Sequence, residues 1–157
     1  MRAVIQRVNK ASVTISGEVT GSIDRGLCLL IGITHEDTDD DLNYIVEKTL
    51  NMRVFPEESG DSGFDQSVKD IAGGILLVSQ FTLYASTRKG RRPGFTDAAR
   101  PEQAEPMFEQ LVDSFRMNSG LRVETGLFGA SMTVEIENAG PVTIVLDSAE
   151  RNAPRRG

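Results

Sequence analysis

The residue types best suited to chemistry gather at Ser79-Gln80-Phe81-Thr82. They stand where an apolar run, Ile75-Leu76-Leu77-Val78, gives out. Led in by Gly73-Gly74, that run reads as a buried strand. Hydroxyls and an amide at the exit of such a strand are held rigidly and open to solvent, which suits them to orient a substrate or a water. A dense cationic loop, Arg88-Lys89-Gly90-Arg91-Arg92-Pro93-Gly94, follows at once. Hydrogen-bonding groups therefore lie beside a stretch that attracts anions, although four cations in a loop also describe a solvated turn. A second stretch, Asn138-Ala139-Gly140-Pro141-Val142-Thr143, sets a Gly-Pro turn before the apolar run Val142 to Leu146. Proline lacks an N–H and takes a cis bond more readily than other residues. Two carbonyls turned outward by such a bond would form a rigid acceptor surface.

What is missing matters as much. A serine or threonine nucleophile needs a base. His35 is the sole histidine, far in sequence from Ser79 and Thr82, and its acidic, non-apolar surroundings read as an exposed loop. No Gly-x-Ser-x-Gly elbow, zinc-type His/Cys spacing or phosphate loop occurs. The run Glu36 to Asp41, with five carboxylates in six residues, reads as the start of a helix and a solvated face rather than a metal site. Glu57, Glu58 and Asp61 add to the acidic side.

The elements that must position these groups are legible in outline. Arg2 to Val8 begins a strand, and Ala11 to Ile15 pairs with Val19 to Ile23 through a Gly17-Glu18 hairpin signal. Leu27 to Ile33 reads as a central strand buried on both faces. Thr38 is the expected N-cap of a helix with an apolar stripe at Leu42, Ile45, Val46, Thr49 and Leu50. Arg53 to Phe55 is a short strand, and 56–63 a loop. Asp97 or the Ala99-Arg100-Pro101 junction opens a second helix, with Pro101 suited to its first turn; it is striped by Met107, Phe108, Leu111, Val112 and Phe115 and stopped at Gly120. Leu121 to Glu124, Ser131 to Glu137 and Val142 to Leu146 are the last expected strands. The fold class is α/β: one domain over 1–150, a curled, barrel-like sheet carrying two main helices. Residues 151–157, with Arg151, Arg155 and Arg156, are expected to form a loose tail.

The totals fit one domain of 157 residues. The lone Cys28 lies in an apolar run, as a core residue of a reducing compartment would. The N-terminal stretch has no apolar signal-type segment, and no apolar run reaches the ~18–20 residues of a membrane span. Cytoplasm is the expected location. The net charge of −6 does not suggest a polyanion binder, but the local basic loop allows contact at one place.

Taken in order, several stretches resemble the D-aminoacyl-tRNA deacylase family, D-tyrosyl-tRNA deacylase type. They are Met1 to Val8, Ala11 to Thr14, Ser79 to Ala85, Lys89 to Pro93, Gly126 to Met132, Asn138 to Thr143 and Leu146 to Ser148. Together they cover nearly the whole chain. The family pattern is departed from at Phe64-Asp65-Gln66, ahead of Ser67-Val68, where a Met-Asn pair is common.

The resemblance implies hydrolysis of the ester that joins a D-amino acid, or glycine mischarged on alanine tRNA, to the terminal adenosine of tRNA. Such an ester is already activated, and the neighbouring ribose hydroxyl can assist attack by water. The protein then supplies position and an oxyanion site, two large contributions to catalysis. Backbone N–H groups at Gln80, Phe81 and Thr82 are the implied oxyanion donors. Ser79, Gln80 and Thr82 orient substrate or water, and Phe81 shapes the pocket. Met132 and Ala130 are implied substrate contacts, and Lys89, Arg91 and Arg92 implied tRNA contacts. Gly140-Pro141, cis in the family and projecting into the partner's pocket, would exclude L side chains by clash. A homodimer with its active sites near the subunit boundary is implied as well. No metal or other cofactor is. Three rival readings stand beside this one: a non-catalytic nucleic-acid-binding protein, a freestanding editing module of the kind synthetases carry, and a hydrolase with Thr82 as covalent nucleophile.

Overall fold

The computed structural model describes residues 1–57, 60 and 63–154. The expectations placed on Glu58, Asp61, Arg155 and Arg156 lie outside them. Among the described residues, eight strands and two α-helices follow in the order β1 (Arg2–Ile15), β2 (Glu18–Ile23), β3 (Gly26–Gly32), α1 (Asp39–Asn51), β4 (Arg53–Phe55), β5 (Gln66–Ser67), β6 (Gly74–Ser79), α2 (Pro101–Ser119), β7 (Val123–Thr125) and β8 (Thr133–Asp147). Six of the strands make one curled sheet in the order β2-β1-β3-β6-β7, with β8 on the other edge of β1. The β3–β6 and β6–β7 pairs are parallel, whereas β1 pairs antiparallel with β2, β3 and β8. The short β4–β5 pair stands apart.

The apolar run of β3 is buried on both faces because the sheet is covered on both sides. Leu27, Leu29 and Ile31 join Ile75 and Leu77 of β6 in a core shared with α1 and α2. Cys28 points the other way, into a second cluster with Val8, Val13, Leu76 and Val78 inside the curl. The expected helix stripes face the core: Leu42, Ile45, Val46, Thr49 and Leu50 on α1 and Phe108, Leu111, Val112 and Phe115 on α2 are buried, and Met107 is partly buried against them. Leu111 and Phe115 are fully buried, and truncating either to Ala costs about 2–5 kcal/mol. Thr38 is the N-cap of α1, and its N–H and hydroxyl both donate to Asp41 at 2.9 Å. Gly120 ends α2 in the left-handed conformation that a side chain disfavours, at φ 66°.

Four expectations need correction. The two strands expected within 2–15 are one, because β8 supports it from Arg2 to Thr14 and absorbs two irregularities near Val8. For the same reason Ser131 to Glu137 and Val142 to Leu146 merge into β8, and Gly140-Pro141 lies inside that strand rather than in a turn feeding it. β5 was not expected; a two-residue strand has no periodicity to read. The expected loose stretch does not begin at 151: Ser148–Asn152 is a 3₁₀ turn, and Arg151 Nη1 donates to Asp41 and to the Ser148 carbonyl.

The acidic run serves the fold directly. Asp37 accepts from the Met1 amino group and from Thr34 N, while Asp41 accepts from Thr38, Ser148 and Arg151.

Candidate active site

β6 ends at Ser79, and the chain turns at once into a single 3₁₀ turn, Phe81–Tyr84. The Gln80 N–H donates to the Ile31 carbonyl at 2.7 Å, which ties the start of the turn to β3. Leu83 N and Ala85 N close the turn on Gln80 O and Thr82 O at 3.2 and 3.1 Å. Among the described residues neither the Phe81 nor the Thr82 amide has an acceptor. The implied oxyanion donors therefore narrow from three to two: Gln80 has spent its N–H on the sheet, and Phe81 and Thr82 have not.

Phe81 borders a cavity of ≈ 590 Å³. Its floor is Ile31, Ile33 and Val78, continuous with the sheet. Ser79, Gln80 and Phe81 form one wall, and Phe128, Ala130, Met132 and Val134 another. A third comes from Phe95, Ala98, Ala99 and the start of α2 at Arg100, Pro101 and Ala104. The lining is mostly apolar, and the rings of Phe81 and Phe95 meet edge to face at 5.0 Å. Such a slot suits a flat aromatic group with a polar end. Phe81 remains 55% exposed, so one face of its ring is available to a ligand.

The structure thus brings together Ser79, Gln80, Phe81, Ala130 and Met132. Thr82 stands just outside the lining, where its Oγ1 accepts from the Gln80 side-chain amide. An amide N–H cannot take a proton, so this contact positions the hydroxyl without activating it. Lys89, Arg91 and Arg92 are exposed on a loop closed by paired Ser86–Gly94 hydrogen bonds of 2.8 and 2.9 Å, and do not line the cavity. Gly140 and Pro141 do not line it either. Their peptide bond is cis, and both are exposed on β8. Arg7, buried beneath, donates from Nε to the Ala139 carbonyl at 3.0 Å and from Nη1 to the Val54 carbonyl at 2.6 Å.

Phe95 and Arg100 escaped the sequence reading. Phe95 carries no motif of its own; the signal was its place directly after the cationic loop. Its loop is clipped from behind. Thr34 Oγ1 donates to Asp97 O at 2.6 Å, Ala99 N donates to Ile33 O at 2.9 Å, and His35 Nε2 lies 3.0 Å from Thr96 O. His35 is exposed and engaged there.

Below the turn, Arg2 donates from Nε to Asp147 at 2.9 Å and from Nη1 to the Leu83 carbonyl at 3.1 Å. Burial pushes the Asp147 carboxyl up, but bonds from Arg2 and from the Ala149 amide outweigh it and leave the group below the usual carboxylate range.

The family model described as D-Tyr-tRNA(Tyr) deacylase matches residues 4–147. A D-aminoacyl-tRNA deacylase of Brevibacillus brevis is 55% identical over 148 residues, spanning 94% of this chain and 100% of that protein. One from Thermus aquaticus is 51% identical over 155 residues, spanning 99% and 100%. Among solved structures, the c-Myc DNA Unwinding Element Binding Protein superposes with a TM-score of 0.87 at 46% identity, covering 94% of this chain and 98% of that one. A probable eukaryotic D-amino acid tRNA deacylase shares the fold at a TM-score of 0.80 and 18% identity, covering 92% and 97%. These likenesses, met by a rigid turn beside an apolar slot, define an enzyme of the hydrolase class that acts on an ester bond. The chain belongs to the D-Tyr-tRNA(Tyr) deacylase family.

Proposed function

We propose that the chain hydrolyses the ester of D-aminoacyl-tRNA, and of glycine mischarged on alanine tRNA, releasing the amino acid and free tRNA. The observation that carries this reading is the pair of Phe81 and Thr82 amides, without acceptors among the described residues, at the edge of an aromatic slot. The terminal adenine lies in the slot against the exposed face of Phe81, with Ala130 and Met132 beside it. Water, assisted by the neighbouring ribose hydroxyl, adds to the ester carbonyl. The oxygen that gains charge meets the two amides, which cost no reorganisation because the turn is already formed. The leaving ribose oxygen then takes a proton. Thr82 orients groups in this scheme. A covalent role would need a base, and the partner of its hydroxyl is an amide.

Chirality is set by Gly140-Pro141. Since neither residue borders the cavity of its own chain, a second copy must bring them, which makes the working form a homodimer. Val145 on β8 is 67% exposed, on the side of the strand turned away from the core that Ile144 and Leu146 pack against, which supports a partner there. Lys89, Arg91 and Arg92 hold tRNA phosphates. The working unit is the domain over 1–150, and tRNA as substrate places it in the cytoplasm.

The test is hydrolysis of matched D- and L-tyrosyl-tRNA by the purified protein with a chelator present. Release from the D ester alone supports the reading, and equal release from both removes the chiral filter. If Thr82→Ala keeps most activity, the covalent alternative is lost. Reversing the charge of Lys89, Arg91 and Arg92 should flatten the salt dependence of tRNA binding by roughly 2–3 in log–log slope. A second reading follows from the likeness to the DNA Unwinding Element Binding Protein: no release from either ester, with nucleic acid still bound, would favour a binding protein.

A further inference from the structure

The turn Phe81–Tyr84 is one 3₁₀ turn, a geometry whose hydrogen bonds are poorer than those of an α-helix. Phe81 and Thr82 are exposed, so packing over them does not hold it. Yet a pair of catalytic amides must stay within about 0.5 Å of its working geometry. Something under the turn must fix it.

Three residues lie in a row across the sheet beneath. Arg2 of β1 is the direct partner of Asp147 on β8 and of Gly32 on β3. Gly32 leaves room: a Cβ there would lie 2.9 Å from Leu83 Cβ and 3.2 Å from both Gln80 O and Tyr84 Cδ2. The turn therefore rests directly on the β3 backbone. Arg2 grips it from the side. Its guanidinium lies 4.5 Å over the Tyr84 ring, its Nη1 donates to Leu83 O, and its Nε is anchored by Asp147.

We infer that Arg2, anchored by Asp147, is a positioning residue for the ester hydrolysis: it fixes the Phe81 and Thr82 amides through the Leu83 carbonyl and the Tyr84 ring. The inference rests on the reading of those amides as the oxyanion site. A role in overall stability is the weaker account. The pair is 43% and 24% exposed, and ion pairs of that kind contribute about 0–1 kcal/mol. Lysine does not substitute, since a single ammonium cannot serve a carboxylate, a carbonyl and a ring face with one planar fork.

The experiment compares parent, Arg2→Met, Arg2→Lys and Asp147→Asn by saturation kinetics on D-tyrosyl-tRNA and by residue-resolved amide exchange. For Arg2→Met, kcat should fall about 10–100-fold, the penalty of a displacement approaching 1 Å, while KM stays within about twofold. Arg2→Lys should recover less than half of that loss on a logarithmic scale, and Asp147→Asn should lose less than Arg2→Met. The Leu83 and Ala85 amides should exchange faster while those of α1 and α2 keep their protection. A kcat within twofold of the parent, or protection lost evenly through α1 and α2, would overturn the inference. If the parent cleaves no D-aminoacyl-tRNA, the proposed function fails by itself, and the exchange of Leu83 and Ala85 still decides whether Arg2 holds the turn.

Discussion

Replacing Gly32 with alanine tests the same turn from below. The added methyl would lie 2.9 Å from Leu83 Cβ and 3.2 Å from Gln80 O and Tyr84 Cδ2. Ordinary carbon contacts begin at ~3.5–4.0 Å, so the turn must rise by roughly 0.5–1 Å. Overpacking of this kind costs about 1–3 kcal/mol. That leaves a domain with a typical ~5–15 kcal/mol folded at 25 °C. The catalytic loss should be larger than the stability loss suggests, because misplacing a catalytic group by ~1 Å costs about a hundredfold. Single-turnover hydrolysis of D-tyrosyl-tRNA at saturating enzyme, paired with a thermal melt, separates the two. The expected result is a rate lower by about 10–100-fold, with Tm down by roughly 2–4 °C for each kcal/mol lost. A rate within twofold of the parent at a lowered Tm would refute the reasoning, since the turn would then have moved without consequence for the reaction.

Other outcomes follow from groups away from the site. Ala72 sits at φ 49°, a left-handed conformation costly for a side chain, so Ala72→Gly should raise stability by about 0.5–1 kcal/mol in a urea titration. Asp41 and Asp147 both titrate below the ordinary 3.8, since the bonds they accept outweigh the upward push of burial. In the window below 3.8 the unfolded chain binds more protons than the folded one, so stability is full above it and falls as pH drops through the folded values. Urea midpoints between pH 7 and pH 2.5 should show that loss at the acid end, at ~4 and below, and Asp41→Asn should make the fall shallower. Burial pushes the Cys28 thiol up to about 12. A thiol reagent at neutral pH should therefore label the native protein only as fast as it opens, and label it at once in denaturant.

The interior was legible because its signals are local. The apolar runs of β3 and β6, short and led in by glycine, read as covered strands, and Thr38 and Gly120 mark helix ends through chemistry within one turn of the backbone. The long strands were cut short in the reading because their continuity comes from each other: nothing near Asn9 or Asn138 says that β1 and β8 run on, and only their mutual pairing carries them through. The motif at Ser79 to Thr82 could be found as an anomaly, polar groups at the end of an apolar strand. Which of its amides are free could not, because the acceptor of Gln80 N is Ile31, on a strand nearly fifty residues earlier. Phe95 was missed for the same reason. It reaches the cavity through a loop held by Ile33, Thr34 and His35.

The ladder between β1 and β8 also has a bearing on how the chain comes to be folded. A polypeptide is made from its N-terminus, so β1 emerges first and can pair with β2 and β3 through short connections. Its other edge, from Arg2 to Thr14, must wait for residues 133–147. Until they arrive, a long strand edge stays open beside a half-built core, the kind of surface on which incomplete chains adhere to one another. Closing it joins two segments some 130 residues apart, a slow step on topological grounds, since loop closure is required before the contacts that reward it. The strand that carries Gly140-Pro141 is thus also the one whose arrival covers the open edge of β1.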